Sequence, residues 1–165
     1  MERTLRVLDD LKRAGVIAEY AIGGAMAAIF YTEPILTFDL DVFVRFSEGD
    51  STLLTLQPIY DALSQRGFLP ESECVNIEGI PVQFLPAYNA LVEEGLKEAR
   101  EVMYEAVSVR VLRVEHLIAI CIQTGREKDR QRLRLFLDEA DIDLGYLHDV
   151  IVRHGLESKW KQWTA

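Results

Sequence analysis

The chain has 165 residues, 49% hydrophobic and 27% charged, with a formal net charge of -9; that length supports one sizeable core, and that composition excludes extended disorder. The acidic balance excludes a general nucleic-acid binder, which gains affinity by neutralising phosphates with a basic surface. The longest apolar stretch, from Tyr20 to Tyr31, is too short to span a bilayer, and the charged start Met1-Glu2-Arg3-Thr4 lacks the apolar core of a secretory leader, so the expectation is a cytoplasmic protein with no membrane partner.

Leu5, Leu8 and Leu11 recur at helical spacing up to Gly15 and predict an opening helix. Tyr20 to Ile22 reads as a short strand that runs into Gly23-Gly24 and then a helix of small residues, Ala25 to Phe30, broken by Pro34. Thr37 to Phe46 alternates as a strand, and Ser51 to Arg66 carries apolar residues at helical spacing up to Gly67. Val75 to Ile77 and Ile80 to Phe84 are joined by Glu78-Gly79, the two-residue connection of a hairpin. Ala90 to Glu101 reads as a charged helix, Val107 to Leu112 as an edge strand, and Val114 to Ile122 as a helix ending before Gly125. Two more helices, over 127–138 and 142–154, complete a mixed sheet followed by a helical tail. The expected organisation is a single domain over 1–165, with an α/β core over 1–112 and a helical region over 113–165.

The strand around Phe38-Asp39-Leu40-Asp41-Val42 carries the chemistry. Alternation sends Phe38, Leu40, Val42 and Val44 to one face and both aspartates to the other, about 6.6 Å apart along the strand. Two like charges at that separation repel by roughly 3 kcal/mol at an effective dielectric of 20. A divalent cation relieves that repulsion, and an all-oxygen ligand set favours magnesium or manganese over zinc. Upstream, Gly23-Gly24 between strand and helix would let backbone amides approach a phosphate.

Elsewhere the sequence is less pointed. Cys74 and Cys121 belong to no metal-ligand spacing and are expected to be free and buried. His116, His148 and His154 form no zinc pattern, and His116 reads as a capping or packed histidine rather than a base. Residues 110–134 hold seven basic side chains against three acidic ones, either a solvated face stitched by ion pairs or a local phosphate site. Trp160 and Trp163 are expected to cover the core or form a dimer contact.

Gly23-Gly24, Ala27-Ala28, Tyr31, Glu33-Pro34, Thr37, Asp39-Leu40-Asp41-Val42 and the later Arg126-Glu127-Lys128-Asp129 together resemble the nucleotidyltransferase superfamily typified by DNA polymerase beta. The likeness is closer to the minimal and abortive-infection-type nucleotidyltransferases of bacteria, and it covers roughly residues 16–138. It implies an α+β nucleotidyltransferase fold, a mixed central sheet flanked by helices with a C-terminal helical segment. It further implies that Asp39 and Asp41 are catalytic and hold magnesium or manganese. Gly23, Gly24 and Thr37 would bind the nucleoside triphosphate, with Lys128 supporting it from the helical region. The acceptor stays open among RNA, protein and a small molecule, as does the choice between a homo-oligomer and an antitoxin-like partner.

The chain departs from the family pattern at three places. Gln83 stands where these families usually carry a third carboxylate, Ile35 where a basic residue is common, and Arg132 where a second aspartate often follows the Lys-Asp. Glu33 and Glu78 are then the acidic candidates for a base. The rival readings are a nucleotide- or metal-binding module that has lost catalysis, and a helical interaction protein of toxin-antitoxin type whose basic stretch meets an acidic partner or RNA.

Overall fold

Helix α1 (Glu2–Arg13) buries Leu5, Leu8 and Leu11 completely, and each such side chain withdrawn from water contributes roughly 1.5–3 kcal/mol. In the computed structural model, which describes residues 1–47 and 55–165, the buried Thr4 hydroxyl of this helix donates to the Ile77 carbonyl at 3.1 Å, fixing the helix on the sheet. Strand β1 (Glu19–Gly23) leads directly into the short helix α2 (Gly24–Ala28), and β2 (Leu40–Arg45) returns beside β1. Next come α3 (Gln57–Gln65), the two-residue β3 (Pro70–Glu71), and the hairpin of β4 (Cys74–Ile77) and β5 (Ile80–Pro86). Glu78 at φ 53° and Gly79 at φ 87° turn that hairpin, matching the positive φ values such a turn requires. Helix α4 (Ala90–Lys97), β6 (Arg100–Tyr104) and β7 (Val107–Val111) precede four helices: α5 (Val114–Thr124), α6 (Glu127–Glu139), α7 (Leu144–Arg153) and α8 (Glu157–Thr164).

The strands form one mixed sheet in the order β3-β4-β5-β2-β1-β7-β6. The pair β1/β2 is antiparallel, whereas β2/β5 and β1/β7 are parallel. Leu40, Val42 and Val44 of β2 are fully buried, as their alternation predicts.

Several expectations need correction. The helix expected over 51–66 begins at Gln57 among the described residues, and positions 48–54 lie outside them. The helix of small residues ends at Ala28, where the Thr32 hydroxyl takes up a carbonyl at 2.9 Å. The charged helix from Ala90 stops at Lys97, because Arg100 and Glu101 pair with Val111 and Arg110 as part of β6. That pairing also moves β7 inside the sheet, leaving β6 as the edge. The aromatic C-terminal stretch is itself a helix, α8, with Arg130 stacked 5.2 Å from the Trp163 ring centroid. Cys121 is buried, but Cys74 is partly exposed; both are free thiols.

Candidate functional site

Register across the three central strands builds the floor of a cleft. Gly23 of β1 lies opposite Asp41 of β2, which lies opposite Gln83 of β5, so the three form a row across the sheet. Gly24, at φ +59°, starts the turn into α2; a Cβ there would sit 2.7 Å from the Asp41 carboxyl carbon. Any side chain at position 24 would therefore displace the Asp41 carboxylate as well as strain the backbone. Gly23 has a different job. A Cβ on it would come 2.6 Å from the Phe43 ring, so its bareness accommodates Phe43, and Gly23 is not among the residues lining the cleft.

The cleft has a volume of about 650 Å³, within the range of small-molecule sites. It gathers Gly24, Thr37, Asp39, Asp41 and Lys128 from the residues singled out in the sequence, together with Gln83, Cys121, Arg126, Asp129 and Arg132. Asp39 and Asp41 do share one space, but not as two residues of one strand. The strand starts only at Leu40, and Asp39 belongs to the extended approach before it. Phe38, which alternation groups on one face with the buried Leu40, lies before the strand and is 77% exposed.

Burial pushes the Asp41 carboxyl above its ordinary range, and the neighbouring Asp39 charge adds to the effect, while Arg132, Lys128 and Arg126 oppose it. Among the described residues neither aspartate has an ion-pair partner, and two of the three nearby cations, Arg126 and Arg132, are engaged by Asp129. Arg126 forks onto Asp129, donating from Nε at 2.7 Å and from a terminal nitrogen at 3.0 Å, and Arg132 approaches the same carboxylate at 3.5 Å. Asp129 also accepts from the Thr124 hydroxyl at 2.8 Å and caps the start of α6. Burial raises the Asp129 carboxyl, but these hydrogen bonds outweigh it and hold it below its usual range. Asp129 is thus a positioning residue that presents Arg126 and Arg132 at the cleft. Arg132, a departure from the family pattern, belongs to the basic stretch offered as a local phosphate site, and its i,i+4 spacing from Lys128 puts both on one side of α6, lining the cleft.

Among the described residues no three His, Cys, Asp or Glu side chains gather as a complete metal cage. Two unpartnered carboxylates do fit magnesium or manganese, which bind through one or two protein carboxylates and complete their shell with water and substrate phosphate oxygens. Neither acidic candidate for a base reaches the cleft. The Glu33 backbone N–H donates to Glu139 at 2.8 Å, and Glu78 pairs with Arg3 at 3.6 Å in the hairpin turn. The basic stretch over 110–134 divides. Arg110 meets the Leu96 carbonyl at 2.8 Å and Arg113 stacks 3.9 Å from the Tyr146 ring centroid, whereas Arg126, Lys128 and Arg132 line the cleft.

No protein-family model and no curated protein matches the chain. Among solved structures it is similar to an antigenic nucleotidyltransferase-like protein from Paracoccidioides brasiliensis, with 12% identity and a TM-score of 0.57 over 81% of this chain and 72% of that one. It is also similar to a candidate nucleotidyltransferase from Thermotoga maritima, with 16% identity and a TM-score of 0.44 over 81% of this chain and 92% of that one. The first likeness shows a shared fold: the chain has a mixed α+β, nucleotidyltransferase-like architecture, with its seven-stranded sheet flanked by helices. Among the described residues no helix is long and apolar enough to cross a membrane.

Proposed function

We propose that the cleft binds a nucleoside triphosphate with magnesium or manganese and transfers its nucleoside monophosphate to a hydroxyl of an acceptor. The observation that carries this reading is the pair of unpartnered carboxylates, Asp39 and Asp41, sharing one cleft with Arg126, Lys128 and Arg132 beside the bare backbone at Gly24. The run Thr37 to Asp41 after Gly23-Gly24 fits the minimal or abortive-infection-type enzymes, and a cytoplasmic setting with an antitoxin-like partner is part of the same proposal.

Asp39 and Asp41 would hold the ion, which when bound neutralises charge on the reacting phosphates. Lys128 and Arg132, with Arg126 fixed by Asp129, bring positive charge to the phosphate chain. Gly24 leaves the backbone open beside Asp41, and Thr37 lines the same wall. An acceptor hydroxyl attacks the α-phosphorus, the bond to the β-phosphate oxygen breaks, and pyrophosphate leaves. Gln83 cannot take the hydroxyl proton, and with Glu33 and Glu78 off the cleft that proton goes to solvent water. The amide at position 83 therefore also supports a second reading, a nucleotide- and metal-binding module with impaired catalysis.

Calorimetric titration with manganese, with and without ATP, tests the site. Wild type should bind, and the double variant Asp39→Asn, Asp41→Asn should not; no heat from wild type under either condition sinks the proposal. Incubation with labelled nucleoside triphosphates, magnesium and total cellular RNA and protein separates the two readings. Wild-type labelling no greater than that of the double variant leaves the binding module.

A further inference from the structure

The cleft has an apolar mouth that the phosphate chemistry does not use. Leu36, Phe38 and Tyr88 line it while remaining 86%, 77% and 47% exposed. Leu36 and Phe38 flank Thr37 on the segment between α2 and β2. That segment is held at its start, where the Tyr31 hydroxyl donates to the Leu112 carbonyl at 2.7 Å and the Glu33 N–H donates to Glu139. Tyr88 comes from the opposite side of the chain, between β5 and α4. It is held by its neighbour Asn89, whose side chain caps α4 at 2.9 Å and donates to Gln123 at 2.7 Å. Two rings from separate, anchored segments thus stand at one opening, next to Asp39 on one side and in the field of Arg126 on the other.

Exposing large apolar side chains gains nothing for folding, and among the described residues nothing covers these. A ligand that is polyanionic at one end and planar and apolar at the other meets both halves of the cleft, and a nucleotide has this constitution. A hydroxyl-rich acceptor or inorganic polyphosphate would use the charged half alone.

Building on the nucleotide reading of the cleft, we propose that Phe38 and Tyr88 form the base subsite, stacking the planar base of the nucleoside triphosphate whose phosphates lie toward Asp39, Asp41 and Arg132. Stacking on an aromatic side chain tolerates any base, so the subsite selects for a nucleotide without choosing among purines and pyrimidines. Leu36 closes the apolar rim.

Two probes separate this inference from the reading beneath it. With manganese present, wild type should bind ATP at least tenfold more tightly than inorganic tripolyphosphate, which lacks a base. Phe38→Ala and Tyr88→Ala should each weaken ATP about tenfold, the fold-change expected of one lost stacking contact, while leaving tripolyphosphate affinity unchanged. A triphosphate of 2-aminopurine riboside should lose fluorescence on binding wild type and lose less on binding either variant. Both residues are exposed, so circular dichroism spectra matching wild type are expected and confirm that the variants fold. Equal affinity for ATP and tripolyphosphate overturns the base subsite while sparing the polyphosphate site. If the variants lose affinity for a short single-stranded RNA but not for ATP, the rings belong to the acceptor, which also overturns it. Failure of both ligands to bind wild type overturns the nucleotide reading itself.

Discussion

Glu94 and Asp41 are both carboxylates set among charged neighbours, yet the fold moves them in opposite directions. Glu94 of α4 accepts from Arg153 at 2.9 and 2.7 Å, and His154 and His116 approach it at 2.7 and 3.0 Å, tying α4 to α7 and α5. The Arg153 hydrogen bonds foremost, then those of the two histidines against the opposing effect of burial, hold the Glu94 carboxyl far below its usual range. Asp41 has no such partners among the described residues, and burial, with the Asp39 charge adding to it, pushes it upward. A saturated carboxylate is a structural joint. An unsaturated one in a cleft keeps its charge uncompensated, the condition of groups at functional sites.

The largest consequence falls on stability. Glu94→Ala strips the partner from one arginine and two histidines, one of which, His116, is fully buried. The expected loss is about 2–4 kcal/mol in urea unfolding, the lower end reflecting the partial exposure of Glu94. The variant Asp39→Asn should shift the midpoint far less. Equal losses for the two variants would erase the distinction between the partnered and the unpartnered carboxylate.

The same joint predicts a pH dependence. Burial lowers the His116 pKa below its ordinary 6.5, although Glu94 pulls the other way. Among the described residues the buried Nδ1 has no hydrogen-bond partner, so a proton placed there would be stranded, which favours the neutral ring. Arg113 also disfavours the charged form, and Glu115 favours it. Below pH 6.5 the unfolded chain takes up a proton that the folded chain refuses. Stability therefore falls as pH drops from 6.5, by at most about 1.4 kcal/mol per pH unit for one group. The Glu94 contribution is present above its unfolded value of 4.5 and is lost only at lower pH, as acidity approaches its depressed folded pKa. Urea midpoints between pH 7 and 5 should thus slope in wild type and flatten in His116→Gln; parallel slopes would mean that His116 is not the group responsible.

How far these features could be read from the sequence depended on whether they were local. The hairpin at Glu78-Gly79, the buried alternation of Leu40, Val42 and Val44, and the opening helix were legible because turn chemistry and period sit in neighbouring residues. Strand β6 was not, because the charged residues of Ala90 to Glu101 suit a helix surface and only pairing with β7 makes Arg100 and Glu101 extended. Asp39 dropped out of the strand for a tertiary reason. In register it would face Pro81, which has no N–H to donate, and Ala25, already in helix α2. The row from Gly23 through Asp41 to Gln83 followed from correct register, so the amide opposite Asp41 could be anticipated. The exposed faces of Phe38 and Tyr88 carry no periodic signal; parity groups Phe38 with Leu40, but Phe38 precedes the strand and stays exposed.

The smallest effect is the most diagnostic of an unpartnered carboxylate. Asp41 has a folded pKa raised above 3.8, so its favourable contribution exists while it is protonated, below its unfolded pKa, and is lost as pH rises through the folded value. Near neutral pH the folded chain therefore carries a penalty for the Asp41 charge, first from its burial and then from repulsion by Asp39, and Asp41→Asn removes it. The expected outcome is a gain of a few tenths of a kcal/mol, up to about 1 kcal/mol, in urea unfolding at pH 7, vanishing toward pH 3. A substitution in a metal-free joint would do the reverse, as Glu94 does. Manganese should produce a similar gain in wild type by relieving the same repulsion, and it should add nothing to the variant carrying both Asp39→Asn and Asp41→Asn. A loss of stability at neutral pH in Asp41→Asn would mean that this carboxylate has partners in the folded chain and that the cleft is another joint.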